Sequence, residues 1–393
     1  MVRVCQKEAN MKKRQKIIGI AVLCLCMLAL AGCGKKSGAY EKGLQEYEAG
    51  QYEQAVASFQ EAIAESNTEP LYYISQGMAH IELRNYEEAQ KSFDYALGVD
   101  AESKLAYRGK GIAYLKAEDY AAAIEALNSA LKCADGHVSQ TEFDVLKYRG
   151  EAETAAGDYD AAIETYSILL DVEKKPEDNY YLRGNVYALK GEIDLAAADF
   201  DKLVEAKPND YAAYCCAYQS LAAAGAQDRG KTYLDAALLI KDERAVANKY
   251  RGMVQYLLGE YGNAVAEITA ITGEKDAETL ICLGMSYEKL GQQESAYNAY
   301  TQALNLENEN AGVYNQVGLY KMRTGSYGEA LDFFKKGLEF SDASTAERLM
   351  LNEALACEYN GDFAQALTVL QEYADTYGTD GEIDHELAFL KTR

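Results

Sequence analysis

A set of small and large apolar positions recurs ten times along the chain, at a spacing close to 34 residues. The stretch Tyr73–Ala96, which reads YISQGMAHIELRNYEEAQKSFDYA, shows the set clearly: Gly77, Tyr86, Ala89 and Phe93 each return in step. Successive copies of the alanine lie 34, 34, 39, 34, 34, 34, 32, 34 and 36 residues apart. A period of this size indicates a repeat architecture, in which each unit buries its apolar face against its neighbours.

Each unit is predicted to be a pair of antiparallel helices. Apolar residues follow helical spacing on both sides of Leu83–Asn85, which can hold a tight turn. Gly77 and Ala89 are predicted to lie where the two helix backbones approach closely, because a larger side chain would push them apart. Phe93 and Ala96 share one face of the second helix, and that face needs a neighbouring unit to cover it.

The repeated positions can be followed through the whole array. The small residue of the first helix is Gly43, Gly77, Gly111, Gly150, Gly184, Tyr218, Gly252, Gly284, Gly318 and Ala354. The large residue of the second helix is Phe59, Phe93, Leu127, Tyr166, Phe200, Leu234, Ile268, Tyr300, Phe334 and Leu370. The sixth unit is degenerate, since Tyr218 replaces the glycine and Gly230 replaces the facing alanine. Five extra residues in the third unit lengthen the loop Lys132–Thr141.

A 34-residue helix–turn–helix with these small and aromatic positions resembles the tetratricopeptide repeat. The resemblance covers ten units and nearly the whole chain after the N-terminal region. It implies an all-α, right-handed superhelical solenoid with a concave groove lined by the first helix of each pair. The array is expected at 39–376, with a possible kink at the degenerate repeat, 211–244, and a C-terminal capping helix within 377–393.

The N-terminus has the features of a secretory signal. Four basic residues between Lys12 and Lys16 precede an apolar run, Ile17–Ala31, which is short for a spanning helix. The run ends in Leu-Ala-Gly-Cys, which resembles the lipobox of bacterial lipoproteins and implies lipidation of Cys33. We therefore expect a signal peptide at 1–32, with translation starting at Met11, and a lipidated linker at 33–38. An uncleaved anchor with an incidental cysteine is the alternative.

The net charge argues against nucleic acid as a partner. The chain has a formal charge of −23, and its first 32 residues carry six Lys or Arg and one acid, so the remainder carries −28. A surface this acidic repels phosphate backbones, and no basic stripe interrupts it.

No catalytic or metal-binding constellation is visible in the sequence. The three histidines, His80, His137 and His385, fall in different units, without the spacing of metal ligands. Apart from Cys33, the five cysteines that follow are odd in number and lack a disulfide framework, so most are predicted to be small buried side chains. The sequence predicts no enzyme activity, no metal and no cofactor.

The candidate binding residues lie on the first helices, where the resemblance places the groove. They are Tyr40, Leu44, Tyr47, Ile74, Met78, Ile81, Arg108, Ile112, Lys147, Tyr181, Asn185, Lys249, Met253 and Tyr256. Those of the first three units are the most apolar. Either they hold an apolar peptide or partner helix, or tight packing buries them between neighbouring first helices. Both interpretations remain open at the level of sequence.

The function expected from these features is a protein–protein interaction scaffold, lipid-anchored on the outer face of a bacterial cytoplasmic membrane. Its partners would be proteins or peptides bound in the groove, and its membrane contact would be the lipid at Cys33. The alternative is a lipoprotein that binds a small ligand or glycan in the tyrosine-rich groove.

Overall fold

The computed structural model describes residues 37–133, 139–173, 177–242, 246–341, 343–379 and 381–393. Within these ranges the regular structure consists of 21 α-helices. The expected signal peptide, the start site at Met11 and the lipidated Cys33 lie outside the described residues, as do residues 134–138 of the lengthened loop. The chain divides into two compact units, whose described residues are 37–233 and 234–393.

Six helical hairpins occupy the first unit and the start of the second. Their first helices are α1 (Gly38–Glu48), α3 (Pro70–Glu82), α5 (Lys104–Lys116), α7 (Gln140–Ala155), α9 (Glu177–Lys190) and α11 (Tyr211–Ala223). Their second helices are α2 (Tyr52–Glu65), α4 (Tyr86–Val99), α6 (Tyr120–Lys132), α8 (Tyr159–Val172), α10 (Ile193–Ala206) and α12 (Gln227–Leu238).

Four further hairpins and a single helix form the rest of the second unit. The first helices are α13 (Ala247–Leu258), α15 (Ala277–Lys289), α17 (Ala311–Arg323) and α19 (Ala343–Tyr359). The second helices are α14 (Tyr261–Thr269), α16 (Gln293–Leu306), α18 (Tyr327–Glu339) and α20 (Phe363–Tyr377). The last helix, α21 (Gly381–Leu390), lies in the region predicted to cap the array and buries Leu387 and Leu390.

A large side chain of the second helix packs directly over the small residue of the first. A Cβ atom on Gly77 would lie 2.8 Å from the ring of Phe93, and Phe93 is fully buried. The atoms nearest to such a Cβ all belong to the side chain of Phe93. Gly230 does meet backbone, since a Cβ there would lie 3.0 Å from the carbonyl oxygen of Tyr218.

Neighbouring hairpins cover the remaining apolar face, as the sequence predicts. The ring of Phe93 also lies against Gly109 of the following hairpin, where a Cβ would overlap it. Ala96, on the same face of α4, is fully buried. One aromatic ring thus joins two consecutive repeats.

The degenerate sixth repeat contains the boundary between the two compact units, which falls between Tyr233 and Leu234 in α12. The kink expected there stays a prediction. None of the helices in the described ranges combines the length and the apolar character needed to cross a bilayer.

Candidate functional site

Most groove candidates of the first three repeats are buried. Tyr40, Leu44, Tyr47, Ile74, Met78 and Ile112 are each less than 10% exposed, and Ile81 is half-buried. One cluster contains Tyr40, Leu44, Tyr47, Ile74 and Met78 together with buried side chains of α2 and α4, and Ile81 packs against it. In this structure, these positions pack against their own array, as one of the two interpretations drawn from the sequence requires.

Polar contacts tie consecutive first helices together at the same face. The hydroxyls of Tyr40 and Ser75 lie 3.2 Å apart, and the Tyr47 hydroxyl donates to Glu82 Oε1 at 3.4 Å. Burial, with the adjacent Glu82 carboxylate, raises the pKa of Tyr47 well above its ordinary value. Tyr47 therefore stays a neutral hydrogen-bond donor at any physiological pH.

Arg108 forms an ion pair within the chain. Its guanidinium contacts the carboxylate of Asp144 on α7, and both side chains are buried. The guanidinium also lies 5.4 Å from the ring centre of Tyr148. Burial alone would lower the pKa of Arg108, but Asp144 outweighs it and the net shift is upward. Removing either member would leave a buried, uncompensated charge.

The candidates in repeats four and five are also engaged within the chain. Lys147 Nζ lies 3.2 Å from Glu173, and Asn185 accepts a hydrogen bond from the Ser220 hydroxyl at 2.8 Å. The half-buried ring of Tyr181 lies 6.3 Å from that of Phe200. The hydrogen bond of Asn185 joins two repeats, since Asn185 lies in α9 and Ser220 lies in α11.

In the second unit, Lys249 forms ion pairs within the chain and Met253 is buried. Lys249 Nζ lies 2.7 Å from both Asp276 and Glu278, and Met253 is only 1% exposed. The ring of the half-buried Tyr256 lies 5.4 Å from that of Tyr261. Burial, with a smaller contribution from Tyr261, raises the pKa of Tyr256 to about 12.

The open part of the first-helix face lies on α19, the first helix of the last hairpin. Leu355 is 45% exposed, although it occupies the repeat position that is buried at Leu44 and Met78. Tyr359 is 60% exposed and its ring stacks on Tyr327, with centres 5.3 Å apart. The candidate set missed these residues. The available signal was the register of Leu355, which directly follows the small residue Ala354 as Met78 follows Gly77.

A cavity of about 450 Å³ lies in the second unit beside α14. This helix has nine residues, and its early end leaves a gap between the loop 270–276 and the start of α13. Both basic and acidic side chains line the cavity, and Lys249 and Arg251 are among the basic ones. Lys249 is paired with Asp276, and Arg251 lies 3.3 Å from Glu267, so both cations are already neutralised.

The titratable groups of the described residues offer little nucleophilic or metal chemistry. Cys215, Cys216, Cys282 and Cys357 are buried, as the sequence predicts for most cysteines. Burial raises the pKa of Cys282 to about 12 and that of Cys357 to about 11, which keeps both thiols protonated. No group of three His, Cys, Asp or Glu side chains converges as metal ligands within the described part of the chain.

Comparison with known proteins agrees with the arrangement of hairpins. Residues 74–138 and 149–211 match one sequence model of the tetratricopeptide repeat, and residues 277–310 match another. The turn at Leu83–Asn85 and the pair Gly77 and Phe93 all fall within the first match.

Several solved structures are similar to this chain. YrrB, described as a tetratricopeptide repeat protein with an unusual peptide-binding site, is 22% identical over 48% of this chain and 95% of its own, with a TM-score of 0.37. Yeast Tom70 is 13% identical over 90% and 94%, with a TM-score of 0.36. The C-terminal part of a repeat protein from Cytophaga hutchinsonii is 18% identical over 70% and 98%, with a TM-score of 0.43. On the matches to the family's own sequence models, the chain contains tetratricopeptide repeats.

Proposed function

We propose that this protein is a lipid-anchored scaffold on the outer face of a bacterial cytoplasmic membrane, where its repeats bind protein or peptide partners. The observation that carries the scaffold assignment is the match of three segments to tetratricopeptide repeat models. Proteins of this family bind other proteins or peptides. In this proposal the protein provides a binding surface and does not itself catalyse a reaction.

The proposed anchor rests on the order of features in the N-terminal sequence. A basic region, a 15-residue apolar run from Ile17 to Ala31 and a lipobox ending in Cys33 follow one another. Two or more acyl chains on that cysteine would hold the protein stably at a membrane, which a single chain would not. Only three residues lie between Cys33 and Ser37, whose side chain accepts hydrogen bonds at the start of α1. The first hairpin would therefore stand close to the bilayer.

Partner binding is proposed on the first-helix face, at its open end on α19. Leu355 and Tyr359 present apolar and aromatic surface there, and the exposed Arg348 lies on the same helix. Residues 348, 355 and 359 recur at helical spacing and so share one face. In the first three repeats, by contrast, most candidates of that face are buried.

The anchor is tested by substituting Cys33→Ala in the full-length chain. Growth with an alkyne-modified fatty acid should label the unsubstituted protein, and fractionation should place it with membranes. The Cys33→Ala protein should carry no label. A labelled Cys33→Ala protein, or an unlabelled parent, would contradict lipidation at this residue.

The binding face is tested by crosslinking in intact cells. A photoreactive phenylalanine analogue at Tyr359 should yield a discrete crosslinked partner, because that side chain is 60% exposed on the proposed face. Tyr95 is the matched control, since it is 64% exposed but lies on the second helix α4. A partner captured equally from both positions, or from Tyr95 alone, would place binding elsewhere.

A further inference from the structure

A polar bridge, meaning a side-chain hydrogen bond that joins a hairpin to the second helix of the hairpin before it, occurs at the second hairpin. The bridging residue is Gln76, which directly precedes the small residue Gly77 of the first helix. Its side-chain nitrogen donates to Gln60 Oε1 at 2.8 Å, and its side-chain oxygen accepts from the Ser92 hydroxyl at 3.2 Å. Gln76 therefore ties α3 to α2 and to α4.

The next three hairpins form the same bridge with other residues. The donors directly precede the small residue of the first helix, and with their acceptors they are Lys110 with Asp94, Arg149 with Asn128 and Thr165, and Arg183 with Ser167 and Asp199. The guanidinium of Arg183 lies 3.0 Å from the Ser167 hydroxyl of α8 and 2.7 Å from Asp199 Oδ1 of α10. Each of these junctions is thus joined through the same position.

The degenerate sixth hairpin keeps a bridge by a different route. Ala217 occupies the bridging position and has no polar side-chain atom, but the Tyr233 hydroxyl donates to Asp201 Oδ1 at 2.7 Å. Tyr233 lies on α12 and Asp201 lies on α10, so this bond again joins two hairpins. Because hydrogen bonds weaken steeply when their geometry changes, polar bridges resist sliding of one hairpin along the next.

The junction between the seventh and eighth hairpins has apolar residues at the bridging positions. Leu283 replaces the donor, Ala299 replaces the acceptor on the second helix of its own hairpin, and both are buried. Thr269 occupies the position of Ser167, but its hydroxyl donates at 2.7 Å to the carbonyl oxygen of Val265 in its own helix. Apolar contacts are non-directional, so the contacts of Leu283 persist through a small displacement.

Open space and exposed ion pairs border the same junction. The cavity of about 450 Å³ beside α14 is lined by the loop 270–276 and by Thr279 of α15, so close packing is interrupted there. Lys249 of α13 reaches across the junction to Asp276 and Glu278, which are both exposed. Ion pairs between exposed side chains contribute little to stability and can form again after a displacement.

We propose that the junction between the seventh and eighth hairpins is a shear joint, at which α15 slides against α13 and α14 while the second unit stays folded. Sliding of packed helices past one another is one of the recognised forms of conformational change in proteins. The movement changes the spacing between Met253 of α13 and Met285 of α15, which hold the same repeat position on the first-helix face. That face is adjustable at this junction, whereas polar bridges hold the second to sixth hairpins in register.

The joint is tested by NMR on the purified protein, isotopically labelled at its methionine methyl groups. Sliding between two arrangements on the microsecond-to-millisecond timescale should add an exchange contribution to the relaxation of the Met253 and Met285 methyl groups. Met78, at the equivalent position of the second hairpin, should show none. Amide hydrogen exchange in α13 and α15 should stay slow, because sliding breaks no hydrogen bond within a helix. No exchange contribution at Met253 and Met285, or rapid amide exchange in α15, would overturn the proposal.

Grafting a polar bridge into the junction tests what frees it to slide. The three substitutions Thr269→Gln, Leu283→Gln and Ala299→Ser copy Gln60, Gln76 and Ser92 without burying a charge. The exchange contribution at Met253 and Met285 should be lost in this variant. Leu283→Met is the matched control, since it nearly conserves volume and adds no hydrogen-bond donor, and it should keep that contribution.

A second graft covers the case in which the first does not fold. Thr269→Ser, Leu283→Arg and Ala299→Asp copy the bridge formed by Ser167, Arg183 and Asp199, and the expected loss of exchange is the same. Circular dichroism identifies which of the two grafted proteins is folded. Exchange that persists at Met285 in a folded grafted protein would show that a polar bridge does not lock a junction, and the shear joint would be refuted.

Discussion

The ring of Phe93 fills the space in front of Gly77, sixteen residues earlier in the chain, so closely that a Cβ on the glycine would lie 2.8 Å from it. Seven other hairpins repeat this contact at the same separation. They pair Gly43 with Phe59, Gly111 with Leu127, Gly150 with Tyr166, Gly184 with Phe200, Gly252 with Ile268, Gly284 with Tyr300 and Gly318 with Phe334. The glycine is thus needed to accommodate the large side chain of the partner helix.

Replacing Gly77 with alanine should destabilise the array, although alanine favours helix. The added methyl group would overlap the buried ring of Phe93, and such overpacking costs about 1–3 kcal/mol. Gly98 in α4 is the matched control, because a Cβ there meets nothing within 4 Å. Gly98→Ala should stabilise by about 0.5 kcal/mol. Urea midpoints of the two variants should move in opposite directions, and a stabilising Gly77→Ala would refute the packing account.

A glycine at position 118 should stabilise the turn of the third hairpin. Glu118 adopts φ +62°, in the left-handed region where a side chain costs about 1 kcal/mol. The equivalent turn residue of the next hairpin, Gly157, has φ +78°. Glu118→Gly should therefore raise the thermal midpoint, and Gly157→Ala should lower it. If Glu118→Gly is neutral or destabilising, the side chain makes compensating contacts that outweigh the backbone strain.

The repeating hairpins were predictable because their signals are local. Turn residues such as Leu83–Asn85 and the spacing of Gly77 and Phe93 depend on one hairpin, and the structure confirms the two helices that flank the turn. The stacking of neighbouring hairpins follows from the same pattern, since one hairpin alone cannot cover the side chain of Phe93. These features repeat in register, so each copy strengthens the prediction.

The exposure of the groove was not predictable, because it depends on how closely consecutive first helices pack. The sequence identifies the face on which Met78 lies, but not the distance to the next first helix. Met78 is 9% exposed, whereas Leu355, at the same repeat position, is 45% exposed. The pairing of Arg108 with Asp144 was equally hidden, since the two residues belong to different repeats of unequal length.

A charge introduced at the repeat position shared by Met78 and Leu355 should destabilise the protein more where that position is buried than where it is exposed. Met78→Glu would place a carboxylate among apolar side chains, which should cost roughly 3 kcal/mol of stability. Leu355→Glu puts the same charge at the equivalent position of the last repeat and should change stability by less than about 0.5 kcal/mol. Thermal unfolding followed by circular dichroism measures both. Equal losses would show that the two positions are equally buried in solution.

Acid should weaken the contact between the third and fourth repeats through Glu142. Burial alone would raise the pKa of its carboxyl, but hydrogen bonds from Lys104 and Ser139 outweigh burial and hold the pKa at about 2. The pKa of Glu142 is lower in the folded protein, so the stabilisation is present above about pH 4.5 and is lost as the pH falls towards 2.

Glu142→Gln removes the charge, while its amide can still accept the hydrogen bond of the cap at Ser139. Between pH 7 and pH 3 the unsubstituted protein should lose on the order of 2 kcal/mol more than this variant, as measured by urea unfolding. Glu164→Gln, at an exposed position, should track the unsubstituted protein. A parallel acid response in Glu142→Gln would mean that the ion pair with Lys104 contributes nothing to stability.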